Sequence, residues 1–200
     1  MTTLLDGLDD LPWAGMRVPG PGRDAGNIPV ALRAMETGEE GTTDIWGAAA
    51  DAAHECYDIA SNRYSEAAEH LVPFLTALCA SPTAEAAVEA AGVLYDLAFA
   101  EPDDSEEAAG NTGMLERVRG LLLTGRPVYY AMLERPEPAV RRAGWELLYA
   151  IDCGAPHHAA ALERAWLTET DEETRRMVEH HRESLVVDED EPMFGAHVPL

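Results

Sequence analysis

DAAHECYDIA at 51–60, EAAGVLYDLA at 89–98 and RRAGWELLYA at 141–150 carry one pattern three times. The first two share Ala52/Ala90, Ala53/Ala91, Tyr57/Tyr95, Asp58/Asp96 and Ala60/Ala98 at an offset of 38 residues. The second and third, slightly widened, share Ala87/Ala139, Val88/Val140, Ala91/Ala143, Gly92/Gly144 and Ala98/Ala150 at an offset of 52. A helical unit recurring at such a period cannot bury its apolar face alone, and stacking on its neighbours builds one continuous core. An all-α array of stacked helix pairs is the fold class that follows.

The partner helices recur as well. LVPFLTALCASP at 71–82 aligns with GRPVYYAMLERP at 125–136 through Pro73/Pro127, Ala77/Ala131 and Pro82/Pro136, and NIPVALRAM at 27–35 is a shorter echo. Proline is tolerated in a first helical turn, where its missing N–H has no partner anyway. Pro73 either opens its helix or kinks a longer one beginning near Ser65. In the repeated decapeptides Val88, Gly92, Tyr95 and Phe99 share one helical face, and Val140, Gly144, Leu147 and Ile151 repeat it. Gly92 and Gly144 are read as close-packing positions, because a mid-helix glycine otherwise costs about 1 kcal/mol relative to alanine. A last pair begins at Pro156, with Thr170 or Asp171 capping its second helix. The expected pairs span 27–60, 64–100, 114–152 and 156–185, preceded by an N-terminal extension at 1–26 and followed by an acidic tail at 186–200. The tail, with Met193 and Phe194, reads either as docked on the last repeat or as disordered.

Charge bounds the function. All 14 basic residues are arginine, against 37 acids, for a net charge of −23. Residues 1–110 hold 4 Arg and 21 Asp or Glu. Nucleic acid is disfavoured as a partner, since its recognition requires neutralised phosphates, and so are anionic membranes. A basic protein partner is favoured by complementary fields. No run of about 18 apolar residues offers a membrane span. MTTLLDGLDDLPW lacks a basic segment before its apolar residues, so no secretory signal is expected. Cys56, Cys79 and Cys153 have no CxxC spacing and read as reduced thiols of a cytoplasmic protein.

DLPWAGMRV near the start, IPVALRAM, and DIWGAAADAAHECYDIASNRYSEAAEHLVPFLTALC at 44–79 carry a resemblance. The chain resembles the bacterial HEAT-repeat (armadillo-type) proteins, in particular a small group abundant in high-GC bacteria. Relatives carry a His-Gln-Gly type turn just before the tyrosine equivalent to Tyr64, where Ala60, Ser61 and Asn62 stand here. The resemblance implies an α-solenoid of about four HEAT-like antiparallel helix pairs and a protein-binding role, and some relatives look like immunity proteins beside toxin genes.

No catalytic signature is present: GxSxG, HExxH, GxxxxGK[ST] and GxGxxG are all missing. The doublets His157/His158 and His180/His181 do not present two ligands to one side of a helix. His54 with Asp58, and Glu66 with His70, have i,i+4 spacing, but no segment supplies the three or four ligands of a zinc site. Neither a metal nor a cofactor is expected. The insertion EPDDSEEAAGNTG at 101–113 falls between the second and third pairs, and insertions in a repeat array collect on one side, often the binding side. Glu101, Asp103, Asp104, Glu106 and Glu107 from it, with Glu39 and Glu40 after the first helix, are the candidate partner-binding residues. The expected function is a non-enzymatic interaction module, in its most concrete form an immunity-type inhibitor of a basic toxin or nuclease. The alternatives are a scaffold or regulatory subunit of a bacterial complex and a small hydrolase using His54 or His70 with nearby carboxylates.

Overall fold

A computed structural model of the chain describes residues 4–18, 25–37, 47, 52, 56–58 and 61–187, and the structural statements below concern these. Glu39, Glu40, His54, residues 188–200 and most of the second helix of the first pair lie outside them. The described residues are mostly helical: α1 (Ile28–Thr37), α2 (Glu66–Leu78), α3 (Ala84–Phe99), α4 (Asp104–Ala108), α5 (Met114–Thr124), α6 (Arg126–Met132), α7 (Pro138–Asp152), α8 (Pro156–Thr168) and α9 (Glu172–Val187). Three two-residue strands, β1 (Tyr57–Asp58), β2 (Arg63–Tyr64) and β3 (Glu101–Pro102), form a small sheet in that order, β1 antiparallel and β3 parallel to β2.

Local chemistry starts several of the helices. Pro127, Pro138 and Pro156 sit in first turns. Asp171, not Thr170, caps α9, accepting from the Thr174 N–H at 2.9 Å and its hydroxyl at 2.7 Å. Pro73 lies inside α2, which begins just after Ser65, so it does not open the helix. The expected third pair contains an additional helix, because the chain turns at Gly125 from α5 into α6. A Cβ at Gly125 would lie 2.2 Å from the Tyr129 hydroxyl, which is hydrogen-bonded to Thr76 Oγ1 at 2.8 Å.

The three echoes differ in what they bury. On α7, Val140, Gly144 and Leu147 are buried, and a Cβ on Gly144 would meet Met132 Cβ at 3.0 Å and Tyr129 O at 3.3 Å. On α3 the matching face is turned outward: Tyr95 and Phe99 are exposed and nothing lies within 4 Å of a Gly92 Cβ. The core side of α3 is instead its small-residue face, Ala86, Ala87, Ala90, Ala91, Val93, Leu94 and Leu97. The first echo ends in a strand, since Tyr57–Asp58 pairs with Tyr64 and Arg63 across a turn in which Asn62 takes φ 56°. Asparagine is among the few non-glycine residues that enter this left-handed region readily.

α2 packs on α1, α3 and α5, α3 lies along α7, α6 packs on α7, and α7 in turn meets the α8–α9 hairpin. One large core runs from Leu5 to Leu148. It takes in Leu5, Leu8, Trp13, Met16 and Val18, so the segment expected as an extension is part of the same core. Trp13 is pinned there by its indole N–H on Leu8 O at 2.7 Å and by the ring of Phe74 at 6.1 Å. A second, small cluster, Trp145, Ala161, Leu162 and Val178, attaches the terminal hairpin.

Candidate functional site

The insertion folds into a structured wall. Asp103 caps α4, accepting from the Ser105 N–H at 2.9 Å, and this bond with that from the Ser105 hydroxyl holds its carboxyl below the ordinary range. The Asp103 N–H reaches Tyr64 O at 2.7 Å and the Glu101 N–H reaches Asn62 O at 3.1 Å, which ties the insertion to the β1–β2 turn. Gly110 and Gly113 both take positive φ and bring the chain round to α5.

Glu106 turns inward. Its side chain is 1% exposed and receives Arg17 Nη2 at 2.6 Å, Asn111 Nδ2 at 3.1 Å and the Glu66 N–H at 3.2 Å. Burial pushes this carboxyl up, but the bonds from Arg17, Asn111 and the Glu66 N–H outweigh it and leave it below its usual value. Glu106, expected at the partner surface, therefore anchors the insertion to the N-terminal segment. Arg117 staples the far end, donating to Asn111 Oδ1 at 2.5 Å, Thr112 O at 2.7 Å and Glu69 Oε1 at 2.8 Å.

The remaining acids of the insertion come together. Glu101, Asp103, Asp104 and Glu107 line one groove of about 360 Å3 between β3, α4 and the start of α5. Glu116, from the first turn of α5, lines it too, although the sequence reading did not select it. Arg63 is the one cation among the described residues that line it, while Arg117 lies close enough to Glu116 to be drawn by its charge. Arg63 Nη1 lies 3.2 Å from Glu101 and 3.4 Å from Asp104 and donates to Pro102 O at 2.9 Å. Neither Glu107 nor Glu116 is in a salt bridge among the described residues.

Arginines elsewhere are consumed internally. Apart from Arg119, Arg164 and Arg175, every arginine among the described residues is paired with a carboxylate. Arg141 is the most embedded, forked on Glu169 at 2.8 and 2.7 Å and bonded to the carbonyls of Arg135 and Pro136.

The histidines are dispersed. His70 faces the edge of Trp13 at 6.5 Å, while Glu66, its expected i,i+4 partner, lies beside Arg17. His157 Nε2 contacts Asp152 Oδ2 at 2.6 Å, and that buried carboxylate also receives Arg126 at 2.9 Å and the Tyr130 hydroxyl at 3.0 Å. In each doublet the second ring is buried: His158 is 0% and His181 7% exposed. Among the described residues no group of three or more His, Cys, Asp or Glu is placed to hold a metal ion, and no helix is long and apolar enough to cross a membrane. No family model, curated protein or solved structure matches the chain.

Proposed function

We propose that this chain is a non-enzymatic interaction module that receives a basic segment of a partner protein in the groove built by its acidic insertion. The carrying observation is the convergence of Glu101, Asp103, Asp104, Glu107 and Glu116 on one groove that already holds a guanidinium, that of Arg63. Carboxylates with a backbone carbonyl beside them offer a planar cation several acceptors at once. Because the cap on α4 and the Glu106 anchor fix the wall in advance, little ordering is left for the moment of binding. Opposite fields would speed encounter and suppress acidic competitors, nucleic acid and anionic membranes included.

The finer form of this reading is an α-solenoid of HEAT-like pairs in a cytoplasmic immunity protein, whose acidic edge enters the cationic cleft of a toxin or nuclease in place of phosphate. The succession α3 on α7 on α9 supports the solenoid, and the charge of −23 supports the choice of a basic target. A scaffold or regulatory subunit would use another surface, and the outward Tyr95, Phe99 and Leu123 beside a small groove lined by Ala98, Leu122 and Ile151 favour that second reading.

Affinity capture from the source cell separates the two. The baits are the native chain, a groove variant (Asp104→Asn, Glu107→Gln, Glu116→Gln) and a surface variant (Tyr95→Ser, Phe99→Ser). A basic protein retained by the native bait and lost only with the groove variant supports the module proposed here. Loss only with the surface variant supports the scaffold.

A further inference from the structure

The seam between α7 and the α8–α9 hairpin is built around two imidazoles. His158 of α8 is completely buried with its ring 5.9 Å from Trp145 in an edge-on contact, and neither of its nitrogens has a hydrogen-bond partner among the described residues. His181 of α9 stacks on Tyr149 of α7 at 4.3 Å and 15°, and its Nδ1 also lacks a partner. Such packing suits neutral aromatic rings. It gives an imidazolium nothing to pair with.

We propose that the α8–α9 hairpin is an acid-released element, closed on α7 at neutral pH and detached in mildly acidic solution by protonation of His158 and His181 while the larger core stays folded. The groups facing these rings offer no relief. From α7 they are Tyr149 and Asp152; from the hairpin they are His157, His180 and each other. Asp152 is the one anion in this set, and Arg126, Tyr130 and His157 already engage it. Burial accordingly draws both rings down to about 4, against the pull of Asp152 on His158 and with the push of His158 and His180 on His181.

The hairpin is also held by a smaller apolar cluster than the rest of the core. Its apolar attachment is the cluster of buried Trp145, Ala161, Leu162 and Val178, with partly buried Tyr130, Leu133, Ala165, Met177 and Leu185 packed against it, separate from the buried residues of the main core. Ion pairs from Arg141 to Glu169 and from Arg142 to Asp171 and Glu173, the His157–Asp152 contact and the Tyr130–His157 ring contact add to it. Small cooperative units of this kind open at lower cost than the whole domain. An opened hairpin binds two more protons than the closed one between about pH 4 and the ordinary histidine value near 6.5, so closure weakens as pH falls through that window. This inference does not depend on the acidic groove.

Hydrogen exchange read by mass spectrometry at pH 7.0, 5.5 and 4.5, corrected for intrinsic exchange, tests it on the full chain. In the middle of the window, protection of α8 and α9 amides is expected to fall by up to about 100-fold per pH unit, the slope of two protons. The amides of α2 and α3 keep most of theirs. His181→Phe retains the stack on Tyr149 and halves that slope on a logarithmic scale, to about tenfold per unit. Carbon-detected titration of the imidazoles in the native chain gives a reading that needs no variant: both buried rings should titrate only together with hairpin opening. Ordinary titration of both rings near 6.5 with α8 and α9 still protected overturns the proposal. So does loss of protection shared equally by α2 and α3, or a slope unchanged by His181→Phe.

Discussion

Arg17 and Glu106 stand 89 residues apart in sequence and meet at 2.6 Å, with the carboxylate almost wholly withdrawn from solvent. The contact joins the N-terminal segment to the insertion and makes one of its most acidic-looking residues a structural anchor. It also leaves the neighbouring acids facing the groove.

Replacing Glu106 by Ala leaves the Glu66 N–H and Asn111 unsatisfied, and costs about 2 kcal/mol. Thermal denaturation should show a midpoint lowered by roughly 4–8 °C for a chain of this size. Asp104→Asn, on the exposed side of the same loop, should stay within about 0.5 kcal/mol. Because the folded-state carboxyl of Glu106 is depressed, its contribution is present above the ordinary carboxyl range and lost as pH falls through its lowered value. The alanine variant should therefore lose less stability than the native chain between pH 5 and pH 3.

Two glycines that align in sequence should respond oppositely to alanine. At Gly144 a Cβ meets Met132 Cβ at 3.0 Å and Leu133 Cδ2 at 3.1 Å, and Gly144→Ala should destabilise by about 1–3 kcal/mol. At Gly92 the space is open, and Gly92→Ala should stabilise by about 0.5–1 kcal/mol through helix propensity. Urea denaturation of the two variants measures both. Equal signs would contradict the packing described for α3 and α7.

Arg141→Lys keeps the charge but cannot fork on Glu169 while also reaching two carbonyls. A loss of about 1–2 kcal/mol is expected, concentrated in the hairpin because Glu169 belongs to the turn between α8 and α9. Amide exchange should accelerate in α8 and α9 and not in α2.

Much of the helix layout was legible because its signals are local. Pro127, Pro156 and Asp171 mark helix starts by backbone chemistry alone, and Gly144 was marked by its repeated position. The same repetition misled at Gly92 and at Tyr57. Ala-rich α3 buries its alanines and leaves Tyr95 and Phe99 outside, so apolar size was a poor guide to the face. Tyr57–Asp58 matches helical Tyr95–Asp96 letter for letter, yet pairing with Arg63–Tyr64 around Asn62 makes it a strand. Glu106 could not be separated from Glu107 by sequence, because its partner lies far away in the chain. Glu116 had a usable signal, an acid in the turn directly following the insertion. His158 had one too: it shares a helical face with Ala161, Leu162 and Ala165, which distinguishes it from exposed His157.

The function proposed for this chain requires that the groove, and not diffuse acidity, hold a cation. Calorimetric titration of an arginine-rich peptide into the native chain, the triple groove variant, and a control variant neutralised at Glu172, Glu179 and Glu183 compares equal changes in charge at two places. The groove variant should bind about tenfold more weakly than the control, which corresponds to about 1.4 kcal/mol, and the native affinity should fall steeply as salt shortens the screening length. Equal weakening in both variants, or binding indifferent to salt, would contradict the claim that this groove is the site.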